Sequence, residues 1–170
     1  MIPLHPIFVH FPIALFFSAT AFAIISIIFN SKRNLFIELA TWNLFFGIIG
    51  AMFALLSGLS EEGTLAHNEI IHSLMETHKL LGFVFSGVYT LILFWLVVRR
   101  SKMKSLEYKG IVVILVLASG FLAYSAHLGG KMVYEHGAGV LPMQEILNSK
   151  PHDHNHDHNE EHKNDENHHH

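Results

Sequence analysis

Cysteine is absent from the 170 residues, which excludes disulfides, Cys-ligated iron–sulfur clusters and the C-x-x-C-H attachment of covalent haem. Any haem would have to be of the non-covalent b type. Charge is missing where it would matter most: no Asp, Glu, Lys or Arg interrupts the stretches 7–29, 39–59, 80–98 and 110–128. That disfavours a carrier moving ions through the spans, because pumps and carriers usually keep ionisable groups there. No H-E-x-x-H, activated serine or paired-carboxylate motif is present, so a hydrolase is disfavoured. Lys and Arg outside short loops are too few to form a nucleic-acid surface.

What fills those stretches is apolar. Each approaches the ~20 residues that cross a bilayer, half the chain is hydrophobic, and only 15% is charged. The expected fold is all-α: a four-helix transmembrane bundle over residues 1–148, with the lipid bilayer as its surroundings. Residues 149–170 change abruptly to His, Asp, Asn, Glu and Lys, cannot bury a core, and are expected to be a disordered His-rich tail. The first stretch lacks a basic n-region and is followed by Lys32 and Arg33 instead of a small-residue cleavage site, so it reads as a permanent helix and not a signal peptide. Small residues suited to helix packing recur at Gly47, Gly50, Ser57 and Gly58, at Gly82, Ser86 and Gly87, and at Ser119, Gly120 and Ala123.

Sidedness follows from the loops. Lys32 and Arg33 come after the first stretch, and Arg99, Arg100, Lys102, Lys104 and Lys109 flank the turn after the third, whereas residues 60–77 hold Glu61, Glu62, Glu69 and Glu76 with no basic residue. Positive loops stay in the cytoplasm. The expectation is a bacterial inner-membrane protein with both termini periplasmic.

Histidines then stand at the outer end: His5, His10, His67, His72, His78, His127 and His136. Imidazoles at one level of a bundle are a site hypothesis, since the neutral ring is a ligand for haem iron and for Zn, Cu or Ni. Pro6 or Pro12 can mark the start of the first helix. Five residues turn a helix by about 500°, so His5 and His10 lie about 140° apart and do not share a metal as neighbours. Glu69, His72 and Glu76 form one helical stripe, which reads first as an amphipathic surface helix. His78 has Gly82 one turn later, leaving space for a macrocycle or a neighbouring helix, and His127 shares a face with Gly120 and Tyr124. Gly129 and Gly130, and again Gly137 and Gly139, are expected to end the fourth helix and fold His136 back toward His127 and His10.

The residues His5-Pro6, Val9-His10-Phe11-Pro12, His78 with Gly82, His127-Leu128-Gly129-Gly130 and Glu135-His136-Gly137-Ala138-Gly139-Val140 resemble the bacterial membrane family called domain of unknown function 2231. The similarity extends to about Val140. It implies a four-helix membrane protein. Related domains are joined to cytochrome c-like or Rieske-type modules, which implies a place in membrane electron transfer; no such module is fused here.

The tail alternates imidazole and carboxylate through His152, His154, His156 and His158, a pattern able to collect transition-metal ions. Two functions compete. The first is a b-type haem or quinol-linked electron-transfer component, with His10, His78 and His127 as axial candidates, His136 as an alternative ligand, and a periplasmic redox protein or quinol as partner. The second is a periplasm-facing protein handling Cu, Zn or Ni, with His5, His72 and the tail histidines as ligands. Whether either function includes an enzymatic step is left open.

Overall fold

The computed structural model describes residues 5–62, 69–100, 102–138 and 140, with the backbone alone for 61, 62, 69 and 70. Four helices, α1 (His5–Ile28), α2 (Arg33–Glu62), α3 (Glu69–Arg99) and α4 (Ser105–Tyr134), account for nearly all of them; a single 3-10 turn (Asn30–Lys32) joins the first two. All four are long and apolar enough to cross a membrane. Among the described residues there is no strand.

The helices run up, down, up and down. His5 at the start of α1 meets Ala54 near the end of α2, and His78 near the start of α3 meets Ser125 near the end of α4. At the opposite end Arg33 lies over Tyr108, and Arg100 pairs with Glu38. α1 packs against α2 and α4, and α3 against the same two, so α1 and α3 are diagonal partners. The α1–α2 seam is the most extensive. Its small residues let rings lie on the neighbouring backbone, as Phe16 does beside Gly47 and Phe11 beside Gly50.

Phe16, Ala19, Ala23, Ala40, Leu44, Tyr89, Leu96, Tyr108 and Leu115 form the buried centre. Phe16 stacks on Tyr89 with centroids 3.9 Å apart. The few buried hydroxyls satisfy one another, as an apolar interior demands. Thr20 Oγ1 is 2.8 Å from Ser119 Oγ, which is 3.3 Å from Tyr89 Oη, and Ser26 Oγ is 2.8 Å from Tyr108 Oη. The outside is as apolar as the inside: Leu91, Phe94, Val113, Leu117 and Phe121 are largely exposed, the surface that lipid tails require.

The structure decides one helix start that the sequence left open and moves two other helix ends. Pro6 sits in the first turn of α1, but Pro12 is inside the helix and buried, where its ring lies against Gly50. α3 reaches back to Glu69, so the outer stripe bearing His72 and Glu76 is its opening turns and not a separate surface helix. α4 continues through Gly129 and Gly130 to Tyr134. Gly137, at φ 67°, is the one glycine with positive φ among the described residues. There the chain leaves the helix, with Gly137 N–H donating to Val133 and Ala138 N–H to Met132, closing the last carbonyls.

Candidate functional site

The end of the bundle where α1 and α3 begin brings two histidines together. The ring centroids of His5 and His78 are 6.1 Å apart with planes at 88°. Since their helices are diagonal, the two rings meet across the bundle axis, a place where four-helix bundles build ligand sites.

Each ring is oriented from its own hairpin. His5 Nδ1 is 2.8 Å from the carbonyl oxygen of Ala54 on α2, and His78 Nδ1 is 2.9 Å from that of Ser125 on α4, with Ser125 Oγ at 3.3 Å. A carbonyl only accepts, so Nδ1–H donates in both cases. In the neutral ring this puts the lone pair on Nε2. Metal-binding histidines are commonly oriented in this way, with one ring nitrogen donating to a carbonyl while the other coordinates.

Two glycines make room. A Cβ on Gly58 would come within 3.0 Å of His5 Nδ1, and one on Gly129 within 3.3 Å of His78 Cε1. This is why α4 does not break at Gly129: the ring of His78 occupies the space beside its backbone, and the glycine is used for close approach instead of a turn. The space beside Gly82 is taken by Leu55 of α2, 3.2 Å from where a Cβ would stand, so a neighbouring helix fills it.

The other outer histidines face elsewhere. His10 is exposed, and its Nδ1 bonds to the Pro6 carbonyl one turn back on its own helix. His127 is also exposed. Ser125 and Gly129 mark the side of α4 turned to His78, and a step of two residues rotates by about 200°, carrying His127 to the opposite side with Tyr124 and Gly120. His72 is exposed beside the buried Ile71. His136 is half-buried in the turn before Gly137 and hydrogen-bonds to no described residue. Glu76, from the same stripe as His72, pairs with Lys79 at 2.6 Å. His67, Gly139 and the tail with His152, His154, His156 and His158 lie outside the described residues.

Among the described residues no third His, Asp or Glu joins the pair in a cluster of metal-ligand geometry. Among the described residues the site brings together two imidazoles, two backbone carbonyls and the Ser125 hydroxyl. Sequence reasoning singled out both histidines but missed Ser125 as the orienting partner of His78, and Ala54 and Gly58 as the acceptor and floor of His5. The i, i+4 spacing of Ser125 and Gly129 was a usable signal, since it puts a small polar residue and a gap on one stripe.

No curated protein and no solved structure matches the chain significantly. A family model does: DUF2231, described as a predicted membrane protein, matches residues 1–142. With that match spanning the whole bundle and four helices of membrane-crossing length beneath it, the chain belongs to the DUF2231 family of predicted membrane proteins.

Proposed function

We propose that the His5–His78 pair is a transition-metal site at the periplasmic end of an inner-membrane bundle, and that the protein handles copper or zinc there. The observation that carries this reading is the pair itself, with each Nδ1–H held by a backbone carbonyl, so that in the neutral ring the coordinating lone pair is that of Nε2. Metal–imidazole bonds of about 2.0–2.1 Å would set two ring centroids on one ion roughly 5 to 6 Å apart, close to the separation found. Neutral imidazoles suit Zn, Cu and Ni. The basic loops at the other end support the orientation, by the retention of positive charge in the cytoplasm. The tail from residue 149 supplies further imidazoles in the sequence after α4, a source from which ions could pass to the pair.

Haem b is the second reading, favoured by one feature: perpendicular rings from diagonal helices could serve as two axial ligands. The rings fit the iron, but the macrocycle needs a slot, and Gly58 and Gly129 press directly on the imidazoles. The two hairpins would have to part to admit it. An electron-transfer role with a quinol or periplasmic redox partner belongs to this reading.

The test is metal titration of the full chain in detergent, with His152, His154, His156 and His158 changed to Ala so that the tail does not mask the bundle. One tight copper or zinc equivalent, lost in His5→Ala and in His78→Ala, is the expected result. A Soret band that shifts on dithionite reduction and vanishes in His78→Ala would transfer the site to haem. Retention of neither metal nor haem by a folded protein would reduce the pair to a structural contact and overturn the proposal.

A further inference from the structure

The opposite end of the bundle holds a cavity of about 620 Å³ lined by Arg33, Asn34, Ile37, Leu96, Arg100, Met103 and Tyr108. Three helices frame it: the start of α2, the end of α3 and the start of α4. Its two guanidiniums come from different elements, Arg33 from the start of α2 and Arg100 from just past the end of α3.

Arg33 is held in place without being neutralised. Its Cζ stands 5.2 Å from the centroid of the Tyr108 ring. That ring is fixed in turn, because Tyr108 Oη is 2.8 Å from Ser26 Oγ and donates to the Ala23 carbonyl at 3.4 Å. Among the described residues no carboxylate or carbonyl accepts a hydrogen bond from the Arg33 guanidinium. Its planar fork of donors is thus preset beside the cavity with its acceptors to be supplied from outside. Arg100 has one carboxylate nearby, Glu38, but at 3.5 Å and with both side chains about half exposed, a contact of small strength. The start of α2 lies at the same place, with the Arg33 N–H itself taken by the Asn30 carbonyl, and the positive end of the helix dipole adds to the field there. Below the guanidiniums the lining turns apolar through Ile37, Leu96 and Met103.

We infer that this cavity binds a phosphate-bearing anion, with Arg33 and Arg100 gripping the oxyanion and Ile37, Leu96 and Met103 taking an attached apolar chain. Arginine recognises phosphate through paired N–H donors, and basic pockets between helices near the cytoplasmic face suit anionic headgroups. The chemistry is that of an anionic phospholipid headgroup, and free phosphate shares its polar half. The site stands apart from the histidine pair and does not depend on what that pair holds.

The test is titration of the full chain in neutral detergent, followed by native mass spectrometry, with phosphatidylglycerol, phosphatidylcholine and inorganic phosphate in separate arms. Phosphatidylglycerol is expected to bind more tightly than phosphatidylcholine. Arg33→Ala and Arg100→Gln should each weaken it roughly fivefold, whereas Lys109→Gln, exposed on the same end and outside the cavity, should match the wild type. Arg33→Lys, which keeps the charge and loses the fork, should weaken it as well, and it carries the test with Arg100→Gln should Arg33→Ala fail to fold. If inorganic phosphate binds as tightly as the lipid, the oxyanion site stands with the free anion as its source. Equal binding of the two lipids, or equal loss in Lys109→Gln, would overturn the inference.

Discussion

The two ends of this bundle solve opposite problems with polar groups. At the histidine end, two imidazole rings reach across the axis and are fixed by backbone carbonyls, with glycines as their floor. At the basic end, charges are bound to neighbours on the rim: Glu107 accepts from Trp95 Nε1 at 2.8 Å and from Arg99 at 3.2 Å, and Arg100 leans toward Glu38. One end is preorganised by packing; at the other, Arg33 rests on the Tyr108 ring while the rim charges are held by partly exposed ion pairs. The difference teaches that substitutions at the first should act through sterics and ligand loss, and those at the second through charge, in smaller steps.

The sharpest way to break the comparison is to remove the rings. His5→Ala with His78→Ala should lower copper or zinc affinity by at least about 100-fold, since even groups that only orient a ligand typically cost 10- to 100-fold; competition against a chelator of known strength reads this. Next comes Gly129→Val, which drives a branched side chain against His78 and should cost about 1–3 kcal/mol, measured as a lowered midpoint in SDS unfolding. If Gly129→Val unfolds like the wild type, the ring does not depend on that floor. Ser26→Phe would test size, but Ser26→Ala is cleaner: it takes the partner from Tyr108 Oη in the buried centre and should cost about 1 kcal/mol. It should also loosen Arg33 from its ring, a link between the core and the basic end that thermal unfolding and lipid retention can read together. The smallest effect is expected at Lys131→Ala. The Lys131–Glu135 pair, 3.7 Å apart and partly exposed, should contribute only a few tenths of a kcal/mol, and a loss above about 1 kcal/mol would show that the end of α4 relies on charge after all.

Much of the architecture was legible because the membrane simplifies the code. Four uninterrupted apolar stretches gave four helices, and the loop charges gave two unlike ends. The rotation of each helix was not legible. A soluble helix announces its inner face by amphipathicity, whereas here Phe, Leu and Ile surround every helix, so nothing in the periodicity told whether His5 or His10 would turn inward. Their separation of about 140° said only that both could not. The glycine pair at 129–130 was ambiguous for a related reason. Glycine serves both a turn and a close approach, and only the arrival of His78 from another hairpin decides between them. The start of α3 was misplaced for a third reason: its opening turns carry Glu76 and His72, so they read as a separate amphipathic helix and not as the continuation of the apolar stretch from 80.

The Nδ1 hydrogen bonds of the two histidines run within hairpins, His5 to α2 and His78 to α4, while the rings themselves meet between hairpins. Each half can therefore present a finished imidazole before the halves associate. An ion held by both rings would then act as a rivet between separately assembled pieces, and its affinity and the cohesion of the bundle would be two readings of a single free energy.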